Sequence, residues 1–331
     1  MFRRELLAAS AAALTLPTLA CAPKPKGPVG QVKIVLTAAT TNLVLTELMS
    51  ERGYLKDLGV EPIFISVADG NKVLAALLSG AADICPAAGI SQVIAAMARG
   101  AEVKIVAGAA NKAFMAVFAK NPAIRTLKDL EGRTVGIGAL GTQLHQMMIA
   151  LFRKYGVDPK KVTFANVGAS PQVFKAVQAG VVDAGPSEAW LARGSGLHTL
   201  EHGDTYVSLL EYLNQAAFAA DKAIAAKRDL LVRTLAAYAR LYHFVALEDS
   251  EAAFIAAAAK ALNKNDPDGA RDQWNFYRQY QPLAANLELN EAGMGYMQDL
   301  NVTTGSQKAL APFSQLADLS LARDALKMAR S

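Results

Sequence analysis

The side chains best able to do chemistry are few and poorly spaced for catalysis. Histidines stand at positions 145, 198, 202 and 243, with no HExxH or comparable metal-binding spacing. His198 and His202 are four apart, but Gly203 and the strand character of His198 to Leu200 spoil a helical pair. No Gly-x-Ser-x-Gly elbow occurs, and Gly194-Ser195-Gly196 reads as a loop. This pattern predicts no catalytic residues, no metal and no cofactor.

What remains is recognition. A helix start presents unpaired backbone N–H groups and a partial positive charge, which attract anions and carbonyl groups. Thr40, Thr41 and Asn42 open one helix, and Gly89 with Ser91 opens another. The loop Gly138-Ala139-Leu140-Gly141 lets backbone approach closely, with Thr142 able to cap the helix behind it. Gly168-Ala169-Ser170-Pro171 repeats the device, with Ser170 as N-cap and Pro171 at the first helical position. Neither loop is followed by Gly-Lys-[Ser/Thr], so neither is a phosphate-binding loop.

Three further side chains each carry two readings. Glu188 either faces a ligand that donates N–H or O–H or is a cation, or satisfies the dipole of its own helix start. His145, in the first turn after Thr142, points into a cleft or into solvent. Trp190 stacks on a planar ligand or packs between lobes.

These residues are positioned by alternating strands and helices. A strand is expected at Val32–Leu36, where β-branched residues dominate, and further strands at Ile63–Val67, Ala82–Cys85 and Val103–Ala107. Between them lie helices at Asn42–Arg52, Asn71–Ser79 and Ile90–Arg99, with Gly53 and Gly80 as stop signals. Strands separated by helices of this length pair in parallel, which is the α/β class.

The pattern occurs twice. Gly59-Val60-Glu61-Pro62, a strand, Gly70, a helix, Ser79-Gly80 and Asp83 form one unit. Gly156-Val157-Asp158-Pro159, the strand Val162–Val167, Gly168, a helix, Ala179-Gly180 and Asp183 form another. Two copies of one βαβαβ unit imply two similar lobes. Open parallel sheets bind ligands at the carboxyl ends of their strands, so two facing lobes enclose one cleft.

The first twenty residues read as export and not as fold. Arg3-Arg4 precede an apolar run from Leu6 to Leu19, ending at Thr18-Leu19-Ala20-Cys21, the layout of a signal peptide at 1–20. Arg3-Arg4-Glu5-Leu6-Leu7 resembles a twin-arginine signal, and Cys21 resembles a lipidated cysteine; Sec or twin-arginine export and lipidation stay open. Residues 21–30 read as a tether. With Cys21 lipidated or removed, Cys85 has no disulfide partner.

The chain has 331 residues, 52% hydrophobic, enough for two domains. Its formal charge of +5 falls to +4 once Arg3, Arg4 and Glu5 are removed. Lys and Arg are scattered among Asp and Glu without a basic run, which speaks against nucleic-acid binding. Helices at Asp221–Leu247, Glu251–Leu262 and Pro267–Tyr280 fill the C-terminal third, and Trp274, Phe276, Tyr277 and Tyr280 are expected to pack between them.

A family resemblance rests on four segments in order. They are Gly53-Tyr54-Leu55, Leu77-Leu78-Ser79-Gly80-Ala81-Ala82-Asp83-Ile84, Leu127-Lys128-Asp129-Leu130-Glu131-Gly132-Arg133-Thr134-Val135-Gly136 and Ala179-Gly180-Val181-Val182-Asp183-Ala184. Together they resemble the ABC-transporter substrate-binding proteins of the nitrate/sulfonate/taurine and thiamine-pyrimidine group. The resemblance implies a two-lobed type-2 periplasmic-binding fold, each lobe a mostly parallel sheet flanked by helices, with a helical C-terminal region. It implies chain crossings near Asn111–Ala119 and Asn214–Ala220, lobe I at 31–112 with 217–331, and lobe II at 113–216.

Asn111, at the first crossing, and Gly141 complete the expected ligand-binding set. Glu188 matches a Glu of the family pattern, although Ala189 stands where Pro is usual. The implied role is a monomeric, exported solute-binding component of an ABC importer in the periplasm. It would bind a small polar molecule, anionic, zwitterionic or heterocyclic, and hand it to a membrane permease. The alternatives are an enzyme on the same fold, of pyrimidine-synthase or menaquinone-pathway type, or a binding protein of another transporter class. The synthase carries a cysteine-rich motif that Cys85 alone cannot supply.

Overall fold

The computed structural model describes residues 29–330. The expected signal peptide at 1–20, the lipid site at Cys21 and the tether up to residue 28 lie outside the described residues.

The first run of elements is β1 (Gly30–Thr37), α1 (Thr40–Arg52), α2 (Tyr54–Asp57), β2 (Val60–Val67), α3 (Gly70–Ser79), β3 (Ile84–Gly89), α4 (Ser91–Met97) and β4 (Val103–Ala110). A second run follows: β5 (Met115–Ala119), β6 (Thr134–Ile137), α5 (Gln143–Tyr155), β7 (Thr163–Asn166), α6 (Ser170–Ala179), β8 (Ala184–Glu188), β9 (His198–Asp204) and α7 (Thr205–Ser208). The chain ends with β10 (Gln215–Ala220), α8 (Asp221–Ala246), α9 (Glu251–Leu262), α10 (Pro267–Tyr280), α11 (Glu291–Thr303), α12 (Phe313–Leu316) and α13 (Ser320–Ala329).

These strands build two five-stranded sheets, ordered β2-β1-β3-β10-β4 and β7-β6-β8-β5-β9. The β1–β2, β1–β3, β6–β7 and β6–β8 pairs are parallel, and one antiparallel strand is inserted in each sheet, β10 in the first and β5 in the second. Val32, Ile34 and Val35 of β1 are all fully buried, as expected of a parallel strand covered on both faces.

The repeat predicted from sequence is physical. Asp83 accepts from the backbone N–H of Lys33 at 2.8 Å and returns a bond from its own N–H to Lys33 O. Asp183 does the same with Thr134, also at 2.8 Å on the side-chain bond. Each Asp therefore ties the entry of the third strand of its unit to the start of the first. The helices before the four equivalent turns end on Gly53, Gly80, Gly156 and Gly180, all left-handed with φ between +67° and +78°.

Two expectations need correction. β5 already pairs in the second sheet along Met115–Ala119, and β10 in the first along Gln215–Ala220. The connections between sheets are therefore 111–114 and 205–214, because the strands on either side are fully engaged in their ladders. The expected single helix at Asp221–Leu247 breaks at Lys227 (φ −135°), where Lys227 Nζ reaches Asp83 Oδ2 at 2.8 Å. Ser250 precedes α9 but does not cap it; its hydroxyl donates to Leu247 O and accepts from Trp274 Nε1.

The C-terminal helices pack on the first sheet and reach across to the second. α8 lies against β1, β3 and β10, α9 against α1, and α10 against α9. From there α11 contacts α5, and α10 contacts the 3-10 turn Ala189–Ala192. Among the described residues, no single helix is long and apolar enough to cross a membrane.

Candidate ligand-binding site

The carboxyl ends of the parallel strands in both sheets face one cleft, an open space of about 600 Å³ with the solvent at its mouth included. The first sheet contributes Thr37, Thr41, Gly70, Gly89 and Gln92. The second contributes Gly138, Thr142, Gln143, Gly168 and Ser170, while Phe114, Met115 and Gln215 line it where the chain passes between sheets.

Three helices start at this cleft without a side-chain cap. α1, α5 and α6 have Ala39, Thr142 and Ala169 at their N-cap positions, all three residues line the cleft, and none makes a capping bond. By contrast, α3 is closed by Asp69, whose carboxylate accepts from the N–H groups of Asn71 and Lys72 at 2.8 and 3.1 Å. The first turns of α1, α5 and α6 thus keep N–H groups for another acceptor, as a ligand oxygen would be.

Of the residues expected at the site, Thr41, Gly89, Thr142 and Ser170 line the cleft. The Thr41 hydroxyl accepts from Tyr277 OH at 3.2 Å and retains its own proton to donate. Thr142 does not cap; its hydroxyl donates to Ala139 O at 2.6 Å and tightens the loop. Ser170 is the first helical residue and not the N-cap, because its hydroxyl turns inward to donate to Glu188 Oε1 at 2.7 Å.

Gly89 lets the two sides meet. A Cβ on it would lie 2.6 Å from Cβ of Gln143, which belongs to α5 of the other sheet. Gln143 also donates to Asn214 Oδ1, and its carbonyl accepts from Tyr212 OH at 3.1 Å.

The remaining expected residues do not line the cleft. Thr40 begins α1 but points elsewhere, and Asn42 donates to Thr37 O and Thr37 Oγ1 at 3.1 and 2.8 Å, pinning α1 to β1. Ser91 is fully buried under α11, its carbonyl accepting from Asn301. Asn111 turns to the C-terminal segment, its N–H donating to Pro282 O. Gly141 is half-buried and donates to His145 Nδ1 at 3.1 Å, while the His145 ring packs edge-on against Phe164. Burial lowers the His145 imidazole below its ordinary value.

Glu188 fits neither of its two readings. It is fully buried behind the cleft wall, held by the hydroxyls of Ser170 and Ser187 at 2.7 and 2.9 Å. Burial pushes its carboxyl above the ordinary range, and the two hydroxyls pull it only part of the way back. Trp190 packs between the sheets, its ring 5.4 Å from both Phe276 and Tyr277 of α10 and 5.8 Å from Phe114.

Sequence reasoning missed Gln92 and Gln143, the polar side chains that meet across the cleft near Gly89. Their only signal is a Gln within the first two positions of a helix, which many surface helices share. Cys85 is buried, its thiol pushed up to about 12 by desolvation, so it is no nucleophile. No group of three or more metal-ligating side chains comes together among the described residues.

The chain matches a family model described as NMT1/THI5 like over residues 46–252. No curated protein matches it in sequence. The alkanesulfonate-binding protein SsuA of Xanthomonas axonopodis pv. citri, solved with MOPS, is similar at a TM-score of 0.69 and 17% identity, over 90% of this chain and 98% of its own. The periplasmic nitrate-binding protein NrtA of Synechocystis PCC 6803 is similar at 0.74 and 12% identity, over 91% and 89%. The desulfurization enzyme DSZB is similar at 0.60 and 15% identity, over 90% and 99%. At such identities the likeness is one of fold, and that fold is the periplasmic-binding-protein architecture.

Proposed function

This chain belongs to the NMT1/THI5-like family, and we propose that it is the exported, monomeric solute-binding component of an ABC importer. It takes a small polar molecule between two lobes, one built on β1 to β4 with β10 and the C-terminal helices and the other on β5 to β9, and presents it to a membrane permease. The observation that carries this reading is the convergence of three uncapped helix starts, those of α1, α5 and α6, on one cleft between two sheets. They supply backbone donors from both lobes, so a ligand bound there favours the closed arrangement through contacts to each.

The cleft lining carries no cysteine, histidine, lysine or arginine, and its one carboxylate, Asp69, is engaged in capping α3. That composition suits binding better than turnover, although an enzyme shares the fold. Among the expected residues, Thr41, Thr142 and Ser170 are the ones this reading places at the ligand. The deciding experiment is small-angle scattering of the purified protein with and without compounds that raise its melting temperature. Compaction on binding is expected; a compound that is consumed, with a product released, would replace this reading with an enzymatic one.

A further inference from the structure

Among the described residues that line the cleft, Gln92 is the one with a buried side-chain polar atom that has no partner. Its Nε2 donates to Gly89 O at 2.9 Å, which fixes the amide and leaves Oε1 over. The residue is only 8% exposed. Gly70 makes room for it, since a Cβ there would sit 2.1 Å from Nε2 and 2.9 Å from Cδ. The amide lies close against Gly70 and is tied to the Gly89 carbonyl.

A buried amide oxygen without a partner destabilises the fold, so its retention calls for an explanation. The surrounding cleft offers mostly donors: the N–H groups at the starts of α1, α5 and α6, and the Thr41 hydroxyl. Asp69 and Gln143 also bring acceptor oxygens to the lining, but Gln92 Oε1 is the buried one left without a partner.

We propose that Gln92 is a specificity-determining residue whose Oε1 accepts an N–H or O–H from the ligand. The ligand then carries a donor group beside the accepting group that meets the helix starts. A molecule with acceptors only is rejected, because it leaves Oε1 unpaired and sets lone pairs against it. Sites built to receive a hydrogen bond discriminate far more strongly against its absence than apolar pockets do against a missing methylene. The proposal rests on the reading of this cleft as the ligand site.

The test uses matched compounds that differ in the donor: benzamide with N,N-dimethylbenzamide, uracil with 1,3-dimethyluracil, and taurine with its trimethylammonium analogue, beside nitrate and methanesulfonate. Melting temperature and calorimetric affinity are measured on the wild type, Gln92→Leu and Gln92→Met. A donor-bearing member should bind at least about ten-fold tighter than its methylated partner, the ratio of one lost hydrogen bond. Both variants should erase that preference while their melting temperatures without ligand hold. Equal binding within every pair, or unchanged affinity in the apolar variants, would mean that water satisfies Oε1, and the proposal falls while the binding-protein reading stands. Silence from every compound would remove the proposal together with that reading.

Discussion

The hydroxyl of Ser170, on the wall of the cleft, donates to Oε1 of Glu188 at 2.7 Å, so a fully buried carboxylate lies one hydrogen bond behind that wall. Burial raises the Glu188 carboxyl, with Ser170, its own backbone N–H and Ser187 opposing. A carboxyl raised on folding contributes stability that is fully present below its unfolded value, about 4.3, and is lost as pH rises through the folded value. Glu188→Gln keeps the shape and removes the titration. Urea melts of the two proteins should therefore diverge with rising pH, the wild type losing stability relative to the variant. Parallel curves across that range would show that Glu188 titrates normally.

Closure should depend on Gly89. Its α-hydrogen faces Gln143 Cβ, and a methyl placed there would come within 2.6 Å of a carbon that has no freedom to swing away. In Gly89→Ala the sheets must stay apart at that point or strain by about 1–3 kcal/mol, the range for overpacking. Ligand affinity should drop while the melting temperature of the ligand-free protein changes little. Scattering that shows normal compaction of the variant with ligand would refute this.

The paired aspartates should be unequal in effect. Asp83 serves both the Lys33 N–H and Lys227 Nζ, whereas Asp183 serves only the Thr134 N–H among the bonds described. Asp83→Ala should cost about 2–3 kcal/mol and Asp183→Ala about 1–2, from the unsatisfied backbone donor plus, in the first, the lost ion pair with Lys227, which keeps Gln31 O. Equal losses in denaturant unfolding would argue against the Lys227 contribution.

Export predicts a shortened mature chain. Protein recovered from the cell envelope should lack residues 1–20, and its intact mass should reveal whether Cys21 carries lipid. Full-length protein retained in the cytoplasm would overturn the leader assignment.

Strands, helices and the repeat were legible because they depend on local chemistry. β-branched runs such as Val32–Leu36 make strands, and Gly53, Gly80, Gly156 and Gly180 stop helices in the left-handed conformation. Even Asp83 and Asp183 stood out by their equal station in two units. The site was legible only as loops. Thr142 and Ser170 reach the cleft, yet their hydroxyls bond to Ala139 O and Glu188, choices set by neighbours that sequence spacing does not reveal. Two of the three N-cap positions are alanines, Ala39 and Ala169, and a cap that is missing leaves no mark in the sequence. Trp190 finds Phe276 and Tyr277 only because α10 folds back over the second sheet.

The C-terminal helices attach to that second sheet in two places. On α11 and just past its end, Asn301 and Thr304 accept from Gln146 at 3.3 and 3.2 Å, and Asp299 pairs with Arg153. On α10, Phe276 and Tyr277 hold Trp190, and Asp272 pairs with Arg193. On the proposed function, a molecule held in the cleft would leave as these attachments yield. Its dwell time would then depend in part on residues outside the cleft. Two relatives with identical cleft linings but different α10 and α11 faces would hold the same cargo for different times, since affinities among related binders diverge chiefly through dissociation rates.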